Sequence, residues 1–206
     1  MVSTGATVPW WGRVSSVLAP VLLVGGWTLA ASLQPEVFDS GQDTISALAA
    51  LDASHRWVMT LSIAGTGVCH LVTSLGLRVA ARPCRILLAG GGLASLLVAL
   101  FPLPASNGSS VAHGVSAFVA FLMLSVWPFA AWRRGPGVPW GLRRGVSLGA
   151  GGVLVVLLVA FGVALGRESD VGLAERVAAG AQALWPAVVV ATVPLVRRAR
   201  QGMLAP

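Results

Sequence analysis

Residues 17–33, VLAPVLLVGGWTLAASL, are apolar throughout and give way abruptly to QPEVFDSGQDTISALAALDASHR, residues 34–56. As a helix the first stretch, with Ser15 and Ser16 ahead of it, rises about 28 Å at about 1.5 Å per residue, close to the roughly 30 Å hydrocarbon core of a bilayer. The second stretch holds Glu36, Asp39, Asp43 and Asp52, four of the seven carboxylates in the chain, together with His55. A lipid-length apolar run followed by a concentrated polar segment predicts a transmembrane helix and an ordered loop outside it.

Working outward, the pattern repeats. Apolar segments recur at 57–79, 85–103, 111–132, 144–165 and 174–196, which with 15–33 make six spans of about 20 residues in a single transmembrane domain covering 1–206. Within the 34–56 linker, Asp43-Thr44-Ile45-Ser46 ahead of Ala47–Leu51 predicts a cap and a short helix, too short to span. Composition agrees: 56% apolar and 10% charged residues, with a mean hydropathy of +0.83, against about 25% charge in soluble domains. The expected fold is therefore all-α, a six-helix transmembrane bundle.

Charge placement predicts the orientation. Arg13, Arg78, Arg82, Arg85, Arg133, Arg134, Arg143, Arg144, Arg197, Arg198 and Arg200 fall on one side of six alternating spans; Arg56, Arg167, Arg176 and every carboxylate fall on the other. The positive-inside bias places the arginine side, with both termini, in the cytoplasm of a multi-pass cell-membrane protein. The net charge of +7 is spread over short loops, which argues against nucleic acid as a partner. Cys69 and Cys84 lack CxxC spacing and read as packing residues.

The polar residues expected near the outer interface are Asp39, Asp43, Arg56, His113, Glu175 and Arg176, with His55 beside them. Ionisable groups at membrane depth are costly unless paired, so they mark candidate sites; the plainer alternative is that they pair to hold the linker down. His70 stands apart near mid-span and needs a partner, for which Thr66 and Ser74 lie one turn away. His55, His113 and the carboxylates have no zinc-type spacing, and Ser46, Ser109, Ser110 and Ser116 lack a GxSxG context, so neither a metal, a cofactor nor a serine hydrolase is expected.

Five elements in order, Asp43-Thr44-Ile45-Ser46-Ala47-Leu48, Arg56-Trp57-Val58-Met59, Phe101-Pro102, His113-Gly114 and Gly172-Leu173-Ala174-Glu175-Arg176, resemble the bacterial six-span family known as domain of unknown function 998. The resemblance implies Asp43, Arg56, His113, Glu175 and Arg176 as its outer-side positions, and no activity. A looser analogy, in size, span number and acidic residues near one face, is to small membrane-bound terpene cyclases. It implies an enzyme of isomerase or lyase type that starts the cyclisation of a polyprenyl substrate by protonation. Asp39 or Asp43 would donate the proton, and Glu175 or His113 would hold that acid or receive the terminal proton. Arg56 and Arg176 would orient the acid or the substrate head, and Trp57, Phe101, Trp127 and Trp185 would line an apolar chamber with aromatic faces. The expected partners are the bilayer and a prenylated small molecule or lipid, with no obligate protein partner. The alternatives are a lipid-binding or assembly protein without chemistry, and a small transporter, for which His70 is the one strong mid-membrane group.

Overall fold

The computed structural model describes residues 7–35 and 38–194. Glu36 and the tail arginines Arg197, Arg198 and Arg200 lie outside the described residues. Among the described residues there are six long helices: α1 (Trp10–Ser32), α2 (Trp57–Gly76), α3 (Arg82–Leu100), α4 (Val111–Val126), α5 (Arg144–Arg167) and α6 (Val171–Ala191). No strand is present among the described residues, and the fold is an all-α bundle. The first four helices (α4 counted with the turn that extends it) and α5 are long and apolar enough to cross a membrane. α6 carries Glu175, Arg176 and Gln182 and is not among those five. It packs against α1, α4 and α5. The chain behaves as a polytopic membrane protein: α5, the most apolar helix, is also the least buried, turning Val153, Val156 and Val159 outward where only lipid is a favourable solvent.

Local chemistry explains where the helices start and stop. Pro9, extended at φ −63° and ψ 158°, supplies the N-cap of α1, which begins five residues ahead of the expected Ser15. α4 ends at Val126 instead of running to Trp132, because Pro128 has no N–H for the α ladder; the chain continues as a 3-10 turn over Trp127–Ala130. The Pro128 carbonyl takes a 2.6 Å hydrogen bond from Ser147 Oγ on α5. Between α5 and α6 the chain reverses through two left-handed residues, Glu168 and Asp170, each at φ 53°.

The two ends of the bundle differ. At one end arginines bond the exposed carbonyls of helix C-termini: Arg13 Nη2 donates to Val193 O at 2.7 Å, Arg85 Nε to Ser74 O at 2.7 Å and Arg133 Nε to Val79 O at 3.3 Å. Arg134 and Arg144 stack on the Trp132 ring. Because Arg13 at the start of α1 reaches the end of α6, the two ends of the described chain share this face. Beneath it a dry cluster of Leu77, Leu88, Leu124, Trp127, Leu142 and Val190 fills the core. The opposite end is closed by the segment before α2, which inserts Ile45, Leu48 and Ala49 against Met59, Ile63 and Val98.

Small residues set the α2–α3 spacing. A Cβ on Gly92 would lie 2.6 Å from the carbonyl oxygen of Gly67, and one on Gly67 would lie 2.6 Å from that of Gly92, so the backbones touch. Gly92→Val is expected to destabilise the bundle by about 1–3 kcal/mol. The drop will be read as a lower Tm of the purified protein in detergent. Gly152→Val, where nothing lies within 4 Å of the added Cβ, should leave Tm unchanged; equal effects at the two positions would refute the close approach.

Candidate functional site

The segment ahead of α2 is folded by its own polar side chains. Asp39 Oδ1 accepts the Gly41 N–H at 2.8 Å, Asp43 Oδ2 accepts the Asp39 N–H at 2.9 Å, and Thr44 Oγ1 accepts the Ala47 N–H at 3.0 Å. The short helix expected over Ala47–Leu51 is a single 3-10 turn, Ala47–Ala49. The segment then lies along the start of α6. Gly172 N–H donates to Gln42 O at 3.1 Å, and Leu173 N–H to Gly41 O at 2.9 Å. Arg176 Nη1 donates to the carbonyls of Ser40, Asp43 and Gly172 at 2.8–2.9 Å, while its guanidinium covers the Phe38 ring.

This docking carries Ile45 and Ser46 onto Glu175, one turn into α6. The Glu175 side chain is only 5% exposed, and its Oε2 accepts the Ile45 N–H at 2.5 Å. The Ser46 hydroxyl lies against the same carboxyl. On its other side Ser46 Oγ is 3.0 Å from His113 Nε2, and His113 Nδ1 is 2.8 Å from the Phe101 carbonyl oxygen. A carbonyl can only accept, so Nδ1 carries a proton and Nε2 is the nitrogen that can exchange one with Ser46. The result is a row of exchangeable groups, Glu175, Ser46 and His113, at the loop end of the bundle.

Two spaces open from this row. One is a groove of about 630 Å³ between α4 and α5, with Phe118, Phe121, Leu158, Phe161 and Leu165 along its walls and Ser46, His113 and Glu175 at its polar end. Phe121 and Phe161 face each other with ring centroids 5.1 Å apart. The other is an interior cavity of about 80 Å³ that runs from Glu175 and Ser46 past Gln182 to His70.

The residues expected to act together are only partly assembled. His113 and Glu175 meet through Ser46. Asp39 and Asp43 are exposed, and each carboxylate is engaged by a backbone N–H of its own turn. Arg176 is occupied by loop carbonyls. Arg56 is half-buried at the start of α2, with its carbonyl taken by Thr60, and His55 is exposed in a left-handed conformation at φ 52°. The aromatic set lies elsewhere: Trp57 is 60% exposed on the outer surface, Trp127 is fully buried in the dry cluster, and Trp185 packs on that cluster and faces Trp140. Phe101 contributes its carbonyl, not its ring.

Ser46, Gln182 and Phe161 join the site without having been singled out for it. A Gln in an apolar helix is the one of these that stands out by composition. Thr66 and Ser74 do not partner His70: their hydroxyls donate to Ser62 O and Leu71 O one turn back. Cys69 and Cys84 are free and buried. Among the described residues no three His, Cys, Asp or Glu side chains gather in a metal-binding group.

Neither a curated protein nor a solved structure matches this chain. A family model described as protein of unknown function (DUF998) matches residues 17–192, a span that includes the docked segment, the Glu175–Ser46–His113 row and both cavities, and the chain belongs to that family.

Proposed function

We propose that the protein is an integral membrane enzyme that draws an amphipathic molecule with a polyprenyl-type chain from the bilayer and acts on it with the Glu175 carboxyl. One observation carries this reading: a buried carboxyl stands at the polar end of an apolar groove large enough for a hydrocarbon chain, between two helices that border lipid. The chemistry that suits it is acid-started cyclisation. Glu175 gives its proton to an alkene carbon, the electron pair of that double bond forms the new C–H bond, and a tertiary cation is left. A second double bond closes the ring, and a base removes a proton at the end. Phe118, Phe121 and Phe161 line the groove and supply aromatic groups that can stabilise the cation. Glu175 itself, or His113 acting through Ser46, takes the final proton, so the product is an isomer of the substrate.

A lipid-binding protein without chemistry is the rival reading. It is favoured by the openness of the groove, where Phe118 is 62% exposed between α4 and α5. Transport is disfavoured by the dry cluster that closes the arginine end below His70. The test is incubation of the protein in membranes with prenyl alcohols, prenylated quinones and prenylated indoles, followed by chromatography with mass detection. An isomer of unchanged mass and altered retention supports the enzyme; saturable binding of the same compounds with no isomer supports the lipid-binding protein.

The positive-inside bias supports an orientation with the arginine end in the cytoplasm and the Glu175 mouth on the outer side. Single cysteines at Asn107 and Gly135, in a background with Cys69 and Cys84 replaced by alanine, are expected to react with an impermeant thiol reagent on intact cells at position 107 and not at 135. The reverse pattern would invert the orientation.

A further inference from the structure

His70 sits thirteen residues into α2, about 20 Å along the helix from the loop end, and is 1% exposed. Neither of its ring nitrogens meets a hydrogen-bonding partner among the described protein atoms. An imidazole always has at least one N–H to donate, and its neutral form also has a lone pair to fill. His70 is one of the residues that line the interior cavity, whose other titratable group is Glu175, about 6 Å along α6 from the same end. The wall between them presents acceptors. Gln182 spends its amide hydrogens on Phe121 O at 3.0 Å and Ser125 Oγ at 2.8 Å, which leaves Oε1 for the cavity. The Ser95 and Thr66 hydroxyls donate to Gly91 O and Ser62 O, which leaves their lone pairs. A space of about 80 Å³ holds more than one water, and Ser46, Thr66, Ser95, Gln182, His70 and Glu175 interrupt an otherwise apolar lining with the few polar partners that a buried water needs.

We propose that this cavity is a hydrated proton site, reached from the Glu175 end and closed at the arginine end, in which internal waters join the Glu175 carboxyl to the His70 imidazole. The transfer is balanced without a co-reactant. A protonated Glu175 passes its proton to a water, a proton moves along the hydrogen-bonded waters past Gln182, and one arrives on the free ring nitrogen of His70. As that proton arrives the ring N–H returns one to the waters and so to Glu175, so the acid and the imidazole both end neutral and no electron changes hands. Below His70, Leu77, Leu88 and Leu124 give a proton nowhere to go, so the site stores protons and does not conduct them across the membrane. Hydration of this kind does not depend on any reaction at Glu175.

The experiment is hydrogen–deuterium exchange of the histidine ring N–H groups, followed by NMR on ¹⁵N-histidine protein in lipid nanodiscs without substrate. His70→Asn assigns the signal. The His70 ring N–H is expected to exchange within about tenfold of the rate at exposed His55. Gln182→Leu is expected to slow His70 by at least about a hundredfold while His55 keeps its rate. Ser95→Val, which leaves the Gln182 bonds to α4 intact, is expected to slow it as well. Glu175→Gln should move the His70 ¹⁵N shifts, and Asp43→Asn should not. A His70 ring N–H as protected as the core backbone amides would overturn the hydrated site. So would an unchanged rate in both cavity variants. Since no substrate is present, these outcomes are independent of whether a prenylated compound is turned over.

Discussion

Replacing Glu175 by glutamine is expected to abolish isomer formation from a polyprenyl substrate, by at least about a hundredfold, while the protein stays folded and still binds the substrate. The size follows from what a positioned acid contributes, roughly 10² to 10⁴ in rate. The geometry indicates why folding should survive. The short contact to the carboxyl is the Ile45 N–H on Oε2, and a glutamine carbonyl oxygen can accept it in the same place. Asp39→Asn and Asp43→Asn supply the contrast. Their carboxylates hold backbone N–H groups of an exposed turn, which an asparagine oxygen also accepts, so both variants should keep activity within a few-fold. His113→Ala should fall between, because it removes the group that holds Ser46 at 3.0 Å but leaves the acid in place. The measurement is initial rate against substrate concentration for the five proteins. If Asp43→Asn is inactive and Glu175→Gln active, the acid is in the loop and the groove is not where chemistry occurs.

The bundle was legible because its signal is long and redundant. Each apolar run has the length a bilayer demands, and the arginines cluster at alternate gaps, a pattern that needs no tertiary information. Asp43, Glu175 and Arg176 were all recognisable as unusual. Which of them faces inward was not legible, because it depends on how the segment 38–56 folds back, and a loop has no periodicity from which to read a face. Asp43 precedes Ile45 by two residues, yet one ends in solvent and the other places its N–H on a buried carboxyl. That difference is decided by Arg176 and Gly172, more than a hundred positions away. The tryptophans show the converse problem. Trp127 and Trp185 were plausible cavity walls, but Trp127 sits in the 3-10 turn after α4 and Trp185 fourteen residues past the start of α6. Both are too far along to reach the loop end, and both join the cluster at the arginine end. The phenylalanines of α4 and α5 took that place, and Phe161 sits in a helix whose apolar surface is nearly uniform. In such a helix the face that borders a groove leaves no trace in the sequence.

The second large effect is expected at Gly172. The chain of Asp43 crosses the start of α6 so closely that a Cβ on Gly172 would collide with the Asp43 carbonyl oxygen, and would also lie 2.8 Å from the Ser40 carbonyl oxygen and from Arg176 Nη1. These neighbours are backbone and a guanidinium already held by three carbonyls, so there is no flexible side-chain tip to yield. Gly172→Ala should push the 38–46 segment off α6, break the Gly172–Gln42 and Leu173–Gly41 hydrogen bonds, and weaken the Arg176 clamp. Overpacking of this kind costs about 1–3 kcal/mol, and each of the two lost hydrogen bonds adds roughly 0.5–1.5 kcal/mol, so a destabilisation of about 2–6 kcal/mol is expected. The more informative consequence is local. Ile45 and Ser46 ride on the displaced segment, so Glu175 loses its backbone donor and its neighbouring hydroxyl together, and activity should fall further than in Arg176→Lys, which keeps a cation near the same carbonyls. Thermal unfolding in detergent measures the first effect, and limited proteolysis between residues 34 and 56 reports the release of the segment. A Gly172→Ala protein with wild-type Tm and an uncut segment would mean that the loop is held by Ile45 and Leu48 in the core alone, with the contact to α6 incidental.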